Sequence, residues 1–193
     1  MQDPLHNPKL TLVVASIAHS FSHMFMLLYA TVVLVINNEF NLTYSELQWL
    51  SVPGFVMFGL AAFPAGWLGD RWSATGMLVI FFIGLGFSAI LTGLSNDRIT
   101  LLVGLTLIGT FGAIYHPVGI AWLVKHSKNR GRALGINGVF GNMGVAAAPL
   151  ITGILLTFGN WSICFIVPGI ACLLFGILFF KSLIPIAKSN PLE

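Results

Sequence analysis

Six apolar stretches fill nearly the whole of this 193-residue chain, and none of them contains an Asp, Glu, Lys or Arg. They are between 19 and 27 residues long, whereas a helix needs about 20 apolar residues to cross a bilayer. Because lipid offers no hydrogen-bond partners to peptide groups, each stretch must be helical. The sequence therefore predicts an all-α membrane protein with six transmembrane helices. The predicted spans are Leu10 to Ile36, Trp49 to Leu68, Gly76 to Leu94, Ile99 to Val124, Ala133 to Phe158 and Trp161 to Phe180.

The composition agrees with a protein that is surrounded by membrane lipid. Only 8% of the residues are charged and the mean hydropathy is +0.91, which leaves too little polar surface to cover a water-soluble domain of this size. We therefore expect residues 1–193 to form a single six-span domain. The net charge of +3 does not indicate nucleic acid, because the basic residues are not grouped with aromatic side chains on one soluble face.

The distribution of basic residues predicts the orientation. If the N-terminus is cytoplasmic, eight of the nine Lys and Arg residues lie on the cytoplasmic side and only Arg98 lies outside. This asymmetry follows the positive-inside rule. It predicts a multi-pass protein of the plasma membrane, in bacteria the inner membrane, with both termini in the cytoplasm. The eight residues are Lys9, Arg71, Lys125, Lys128, Arg130, Arg132, Lys181 and Lys188.

A faint internal repeat predicts how the helices are arranged. The sequence from Gly59 to Pro64, GLAAFP, is similar to the sequence from Gly144 to Pro149, GVAAAP. The first and fourth spans are among the longest, and both carry histidine. Because three spans is an odd number, a second group of three enters the membrane from the opposite side. The expected architecture is a 3+3 inverted repeat, which is common among secondary transporters.

Polar side chains inside the predicted spans are the candidates for a functional site. Ionisable groups in lipid usually face a bundle interior or an aqueous cavity, and histidine can change its charge near neutral pH. His19 and His23 are four residues apart and therefore share one helix face. We expect these side chains to line a substrate or proton cavity. The candidates are His19, His23, Tyr115, His116, Asn137 and Asn142.

Three other roles for the histidines stay open at this stage. They can be neutral and hydrogen-bonded within the bundle. Histidines at this spacing can also share a metal ion, although no Asp, Glu or Cys completes a ligand set, so no metal is predicted. A haem between His23 and His116 would need two ligands at the same depth, and the residue count places them at different depths; no cofactor is predicted. Cys164 and Cys172 are expected to act as packing residues.

The fifth predicted span is rich in small residues, which allow helices to approach closely. Close packing is the simplest explanation of this pattern. A sliding contact with another helix bundle is the alternative. The residues predicted to pack helices together are Gly141, Gly144, Ala148, Pro149 and Gly153.

The loop after the second span carries a resemblance to a known family. The run GWLGDR, in which Gly66, Asp70 and Arg71 are the signature positions, is similar to the opening of the signature loop of the major facilitator superfamily. The second half of that loop is missing, because Ser73, Ala74 and Thr75 stand where the family has glycine and two basic residues.

Three further runs extend the resemblance over nearly the whole chain. They are Gly109 to Pro117, which ends in Tyr-His-Pro, Arg130 to Gly135, and Gly141 to Pro149. Their order resembles the fosmidomycin-resistance-like branch of the superfamily. In that branch a histidine of the first span is followed four residues later by an acid, whereas here the second residue is His23. The resemblance covers only the N-terminal six-helix half of a family with twelve spans.

The resemblance implies secondary active transport of a small molecule by alternating access, with proton-coupled efflux as one form of it. One six-helix bundle cannot rock against itself, so we expect a second copy or a heteromeric membrane partner. The alternative is a non-transporting membrane subunit or assembly factor that keeps the fold. No nucleophile, acid pair or phosphate loop indicates an enzyme.

Overall fold

A computed structural model describes residues 7–189, and the side chains of all of these except 37, 38 and 184–189. This part of the chain is helical and contains no strand. Six of its helices are long and apolar enough to cross a membrane, which confirms the predicted fold class. In chain order they are span 1, Pro8–Val32; span 2, Tyr44–Arg71; span 3, Ala74–Gly93; span 4, Arg98–His126; span 5, Arg130–Leu156; and span 6, Ile163–Leu183. The sixth helix continues to Ser189.

A capping box fixes the start of span 2. The Thr43 hydroxyl accepts a hydrogen bond from the backbone N–H of Glu46, and the Glu46 carboxylate accepts one from the backbone N–H of Thr43. Two N–H groups that the helix leaves free are thereby paired. A threonine followed three residues later by a glutamate is the sequence pattern of such a cap. The cap also explains why the helix begins at Tyr44, five residues before the predicted Trp49.

The connection between spans 1 and 2 contains structure that the sequence analysis does not predict. Span 1 ends at Val32, and a single helical turn, Asn37–Phe40, follows within the predicted loop. From this turn the Glu39 carboxylate accepts a hydrogen bond from the indole N–H of Trp161, which precedes span 6. This contact ties the first interhelical connection to the last one.

Spans 2 and 4 are interrupted, whereas span 5 is not. Span 2 consists of Tyr44–Leu60 and Ala62–Arg71. Span 4 consists of Arg98–Gly112, a π-helical turn at Tyr115–Gly119, and Ile120–His126. Pro117 lies in that turn, where it removes a backbone donor from the helix. Turns of this kind are frequent at functional sites.

The pairing of the helices is the one that an inverted repeat produces. Span 1 packs most extensively against span 5, span 2 against span 4, and span 3 against span 6. In an inverted repeat, spans 1, 2 and 3 correspond to spans 4, 5 and 6. The pair formed by spans 1 and 5 then corresponds to the pair formed by spans 4 and 2, and the pair formed by spans 3 and 6 corresponds to itself. The interior is filled by large side chains that are almost fully buried, among them Phe25, Phe81, Phe82, Tyr115, Trp122 and Phe165.

Spans 2 and 5 are the least buried of the six. Both present rows of large apolar side chains to the outside of the bundle. On span 2 these include Trp49, Phe55, Phe63 and Trp67, and on span 5 they include Val139, Met143, Leu150 and Ile154. These two faces are available to lipid or to another helical bundle.

Candidate functional site

Three histidines meet inside the bundle. The ring centroids of His19 and His23 on span 1 are 4.8 Å apart, and the His116 ring on span 4 lies 5.4 Å from His19 and 5.3 Å from His23. Spans 1 and 4 run antiparallel, and each side chain leans towards the N-terminus of its own helix. His23 and His116 therefore lean towards each other, which removes the difference in depth that the residue count predicts.

Hydrogen bonds assign the protons of the His19 and His23 rings. His19 Nδ1 lies 2.9 Å from the carbonyl oxygen of Asn137, which can only accept, so this nitrogen carries a proton. In the neutral ring, His19 Nε2 then has a free lone pair. It lies 3.0 Å from His23 Nε2, which is therefore the donor. His23 therefore donates one hydrogen bond to His19.

Tyr115 and Asn137 complete the cluster. The Tyr115 ring stacks on His19 with the centroids 4.9 Å apart. Its hydroxyl donates to Asn137 Oδ1 at 2.9 Å. Asn137 is 2% exposed, and its Nδ2 has no hydrogen-bond partner among the described residues. The same holds for Nδ1 of His116. Buried polar atoms are normally paired, so these two nitrogens are hydrogen-bonding groups that the described residues leave unsatisfied.

Glycines of span 5 make room for this arrangement. A Cβ atom on Gly141 would lie 2.6 Å from Cε1 of His19, and a Cβ on Gly144 would meet the backbone of Ser20. The Ser20 hydroxyl donates to the Phe140 carbonyl at 2.6 Å, which adds a second polar link between spans 1 and 5. The absence of these side chains lets span 5 approach the face of span 1 that carries the histidines.

Several sequence-predicted residues lie elsewhere. Asn142 is exposed, because five residues from Asn137 correspond to a rotation of about 140° round a helix. Gly153 has no atom within 4 Å of the place where its Cβ would be. Ala148 is fully buried, whereas Pro149 lies on the exposed side of an unbroken helix. Of the predicted residues, the cluster therefore contains His19, His23, Tyr115, His116 and Asn137, with Gly141 and Gly144 behind it.

Sequence reasoning missed two contributors to the site. The Phe58 ring on span 2 contacts His116 edge-on with the centroids 5.7 Å apart, and Ser20 links spans 1 and 5 as described above. The sequence holds no specific signal for Phe58, which is one of 16 phenylalanines. Ser20 adjoins His19, so its position next to a predicted site residue was the available signal.

The signature-loop residues lie at the end of the bundle that carries Lys125. Gly66 and Asp70 line a cavity of about 130 Å³ together with Pro117, Val118 and Lys125. Arg71 instead covers the ring of Trp67 at 5.3 Å. Pro117 follows His116 directly, so the wall of this cavity and the histidine cluster belong to the same π-helical turn.

A bundle of six helices that are long and apolar enough to cross a membrane, paired as an inverted repeat around an internal polar cluster, defines a multi-pass membrane protein. The family model described as the Major Facilitator Superfamily matches residues 15–193. The chain therefore belongs to the major facilitator superfamily.

Named relatives agree with this family assignment. The tetracenomycin C resistance and export protein of Streptomyces glaucescens is 26% identical over 165 residues, which are 80% of this chain and 30% of that protein. The riboflavin transporter RibZ of Clostridioides difficile is 25% identical over 151 residues, which are 73% of this chain and 32% of that protein. The uncharacterized MFS-type transporter YfnC of Bacillus subtilis is 26% identical over 152 residues, which are 75% of this chain and 36% of that protein. The chain spans about a third of the length of these curated relatives. The fosmidomycin-resistance-like branch stays a prediction.

Proposed function

We propose that this chain is one six-helix half of a secondary active transporter that exports a small molecule by alternating access. The histidine cluster is the observation that carries this proposal. Hydrogen-bonding side chains are costly inside a membrane protein unless they face a cavity or a partner. Here such side chains from spans 1, 4 and 5 converge, and two of their buried atoms, on His116 and Asn137, have no partner among the described residues.

The proposed coupling ion is the proton. The hydrogen bond between His19 and His23 joins two nitrogens of the same chemical type. When an added proton on Nδ1 makes His23 an imidazolium, its Nε2 proton can pass to Nε2 of His19, so that the positive charge moves to His19 and His23 is left neutral. The carbonyl of Asn137 holds the His19 ring in the orientation that this transfer requires. A histidine pair of this kind suits a carrier that binds a proton on one side of the membrane and releases it on the other.

Alternating access requires a second bundle, because rocking is a motion of one bundle against another. We propose that spans 2 and 5, whose apolar faces are the least buried, meet that bundle. It is a second copy of the chain, a separately encoded half, or a further part of a longer protein. The proposed orientation is the one that the basic residues predict: the six-span unit lies in a bacterial inner membrane, and both of its ends are on the cytoplasmic side.

Transport is tested in a bacterial host that lacks its own multidrug exporters. Riboflavin and tetracenomycin C, named for two relatives, are the first probes. We expect cells that produce the chain to accumulate less of at least one probe, and this difference to vanish when the proton gradient is dissipated. His116→Ala should remove export, whereas His126→Ala, in the same span but outside the cluster, should not. Equal accumulation with and without the chain, over a wider panel of organic ions, would contradict a transporter built from two copies of this chain.

A non-transporting membrane subunit is the second candidate. It is favoured by the missing basic half of the signature loop and by the exposed faces of spans 2 and 5. Under this alternative the chain would purify with one fixed membrane partner. The triple variant His19→Ala, His23→Ala and His116→Ala would then leave that complex and all solute movement unchanged. Native mass spectrometry in mild detergent, together with the export assay, distinguishes the two candidates.

A further inference from the structure

We propose that His19, His23 and His116 form a binding site for a divalent transition-metal ion such as Zn²⁺. One ring nitrogen of each histidine lies within 4.8 Å of the corresponding nitrogens of the other two. The inference rests on this convergence alone and does not depend on whether the chain transports a solute.

The spacing of the nitrogens fits such an ion after small side-chain adjustments. In a tetrahedral zinc site with Zn–N bonds of about 2.0 to 2.1 Å, neighbouring ligand nitrogens are about 3.3 Å apart. The two Nε2 atoms of His19 and His23 are already 3.0 Å apart. The largest separation, 4.8 Å, must shorten by roughly 1.5 Å, which imidazole rotations can supply without movement of the helices.

The surroundings of the rings are those that metal-binding histidines have. A histidine ligand almost always donates its other ring N–H to a carbonyl, a carboxylate or water, which fixes its tautomer. His19 makes this contact through Nδ1 to the Asn137 carbonyl, and its Nε2 then faces the other rings with a free lone pair. His23 becomes a ligand through Nε2 when its proton resides on Nδ1. His116 contributes the third ring, whose Nδ1 atom is buried and has no hydrogen-bond partner among the described residues.

The donor set determines which metals the site takes. Three imidazoles suit Zn²⁺, Cu²⁺ and Ni²⁺ and are poor ligands for Mg²⁺ or Ca²⁺, which prefer oxygen. The Tyr115 hydroxyl donates to Asn137, so it is engaged elsewhere and the fourth position stays open for water or for an anionic ligand. All three histidines are half-buried rather than sealed, which leaves the ion a path of entry.

Zinc binding to the purified full chain tests the proposal. The protein is prepared in detergent without a polyhistidine tag, stripped with chelator and titrated with Zn²⁺ by calorimetry. His6, which lies outside the described residues, is replaced by alanine in every sample. We expect one Zn²⁺ per chain. His23→Ala and His116→Ala should each lower the affinity for Zn²⁺ by at least about tenfold. The His126→Ala variant should bind Zn²⁺ with the same affinity as the protein that keeps all three cluster histidines.

Two further measurements keep the proposal falsifiable if a variant fails to fold. Co²⁺ bound to the unaltered cluster should give the intense visible absorption of tetrahedral coordination, and Zn²⁺ should raise the thermal unfolding temperature of that protein. Absence of stoichiometric Zn²⁺ binding to it would overturn the proposal, and so would unchanged affinity in folded His23→Ala and His116→Ala. These experiments use neither a proton gradient nor a solute, and the export assay can be run with chelator present. Failure of one proposal is therefore distinguishable from failure of the other.

Discussion

The crossing of spans 3 and 6 and the junction of spans 1, 4 and 5 use glycine for different purposes. At the first, a Cβ on Gly86 would lie 2.7 Å from the carbonyl oxygen of Gly169, and a Cβ on Gly169 would lie 2.9 Å from that of Gly86. Two backbones touch there. At the second, the space beside Gly141 holds the imidazole ring of His19.

The two regions also differ in how their polar atoms are paired. Next to the first crossing, the buried thiol of Cys172 donates to the Phe82 carbonyl. At the junction, His19, His23, Tyr115 and Asn137 are joined by hydrogen bonds, yet two buried nitrogen atoms have no hydrogen-bond partner among the described residues. The close contact of two backbones at the crossing holds spans 3 and 6 together. The junction keeps unmet hydrogen-bonding capacity, which a contact of that kind does not need.

The largest expected effect is at the crossing of spans 3 and 6. Gly86→Val places a branched side chain against the backbone of span 6, and overpacking of this kind typically costs about 1 to 3 kcal/mol, occasionally more. We expect a loss at the upper end of that range in the free energy of unfolding in detergent, because a backbone cannot move aside as a side chain can. Gly153→Ala, in open space, is the control and should change stability by no more than about 0.5 kcal/mol. Equal stability of the two variants would show that the crossing is looser than described.

Gly141→Ala should disturb the junction selectively. The new methyl group would displace the His19 ring and break its bond to His23, at a cost of about 1 to 2 kcal/mol, and Zn²⁺ affinity should fall with it. Gly138→Ala is the matched control, because that position has no atom within 4 Å and lies one helical turn away. Calorimetry with Zn²⁺ and thermal unfolding of both variants measure the effect. If the two variants bind Zn²⁺ equally well, the placement of His19 against span 5 is wrong.

Tyr115→Phe should have a smaller effect on stability. It removes the hydroxyl that donates to Asn137 and leaves the amide oxygen without that partner, which costs about 1 to 3 kcal/mol when the group is buried. We expect about 1 kcal/mol, the net contribution of a typical hydrogen bond. Tyr44→Phe, which alters an exposed hydroxyl bonded to Gln48, serves as the reference. A thermal shift as large for Tyr44→Phe as for Tyr115→Phe would contradict the assigned network.

The smallest effect is expected at the exposed N-cap of span 4, which is Asp97. Hydrogen bonds from the backbone N–H groups of Thr100 and Ile99 hold the pKa of Asp97 below its ordinary value. A carboxyl with a lowered pKa stabilises the fold fully above its unfolded pKa of about 3.9 and loses this contribution as pH falls through the folded pKa. The stability of the unaltered protein should therefore fall slightly as the pH is lowered below 5, and Asp97→Asn should abolish this part of the pH dependence. Thermal unfolding temperatures measured below pH 5 test this. An unchanged pH profile would show that the cap contributes nothing.

Local patterns were sufficient for much of the fold. The absence of charge over stretches of 19 to 27 residues predicts the six spans, and Thr43 followed by Glu46 predicts the cap of span 2. Helix ends that depend on a tertiary contact were missed, as at the turn Asn37–Phe40, where Glu39 meets Trp161 from the other end of the chain. A sequence window does not contain both partners of such a contact.

The candidate site was predictable as a set of residue types but not as a geometry. The rarity of imidazole in apolar spans identifies His19, His23 and His116, because a polar group in lipid needs a reason to be there. It does not distinguish Asn137 from Asn142, or Gly141 from Gly153. Helical rotation and the partner of each face decide between them, and only the packed bundle supplies that information.

The sequence by itself determined that lipid surrounds this protein, that six helices cross it and that three histidines lie within them, since all three depend on composition along short segments. The tertiary structure decided that the histidines converge, which carbonyl orients His19 and which buried atoms find no partner among the described residues. Those features depend on contacts between residues about 100 positions apart in the chain, and such contacts exist only after spans 1, 4 and 5 have packed together.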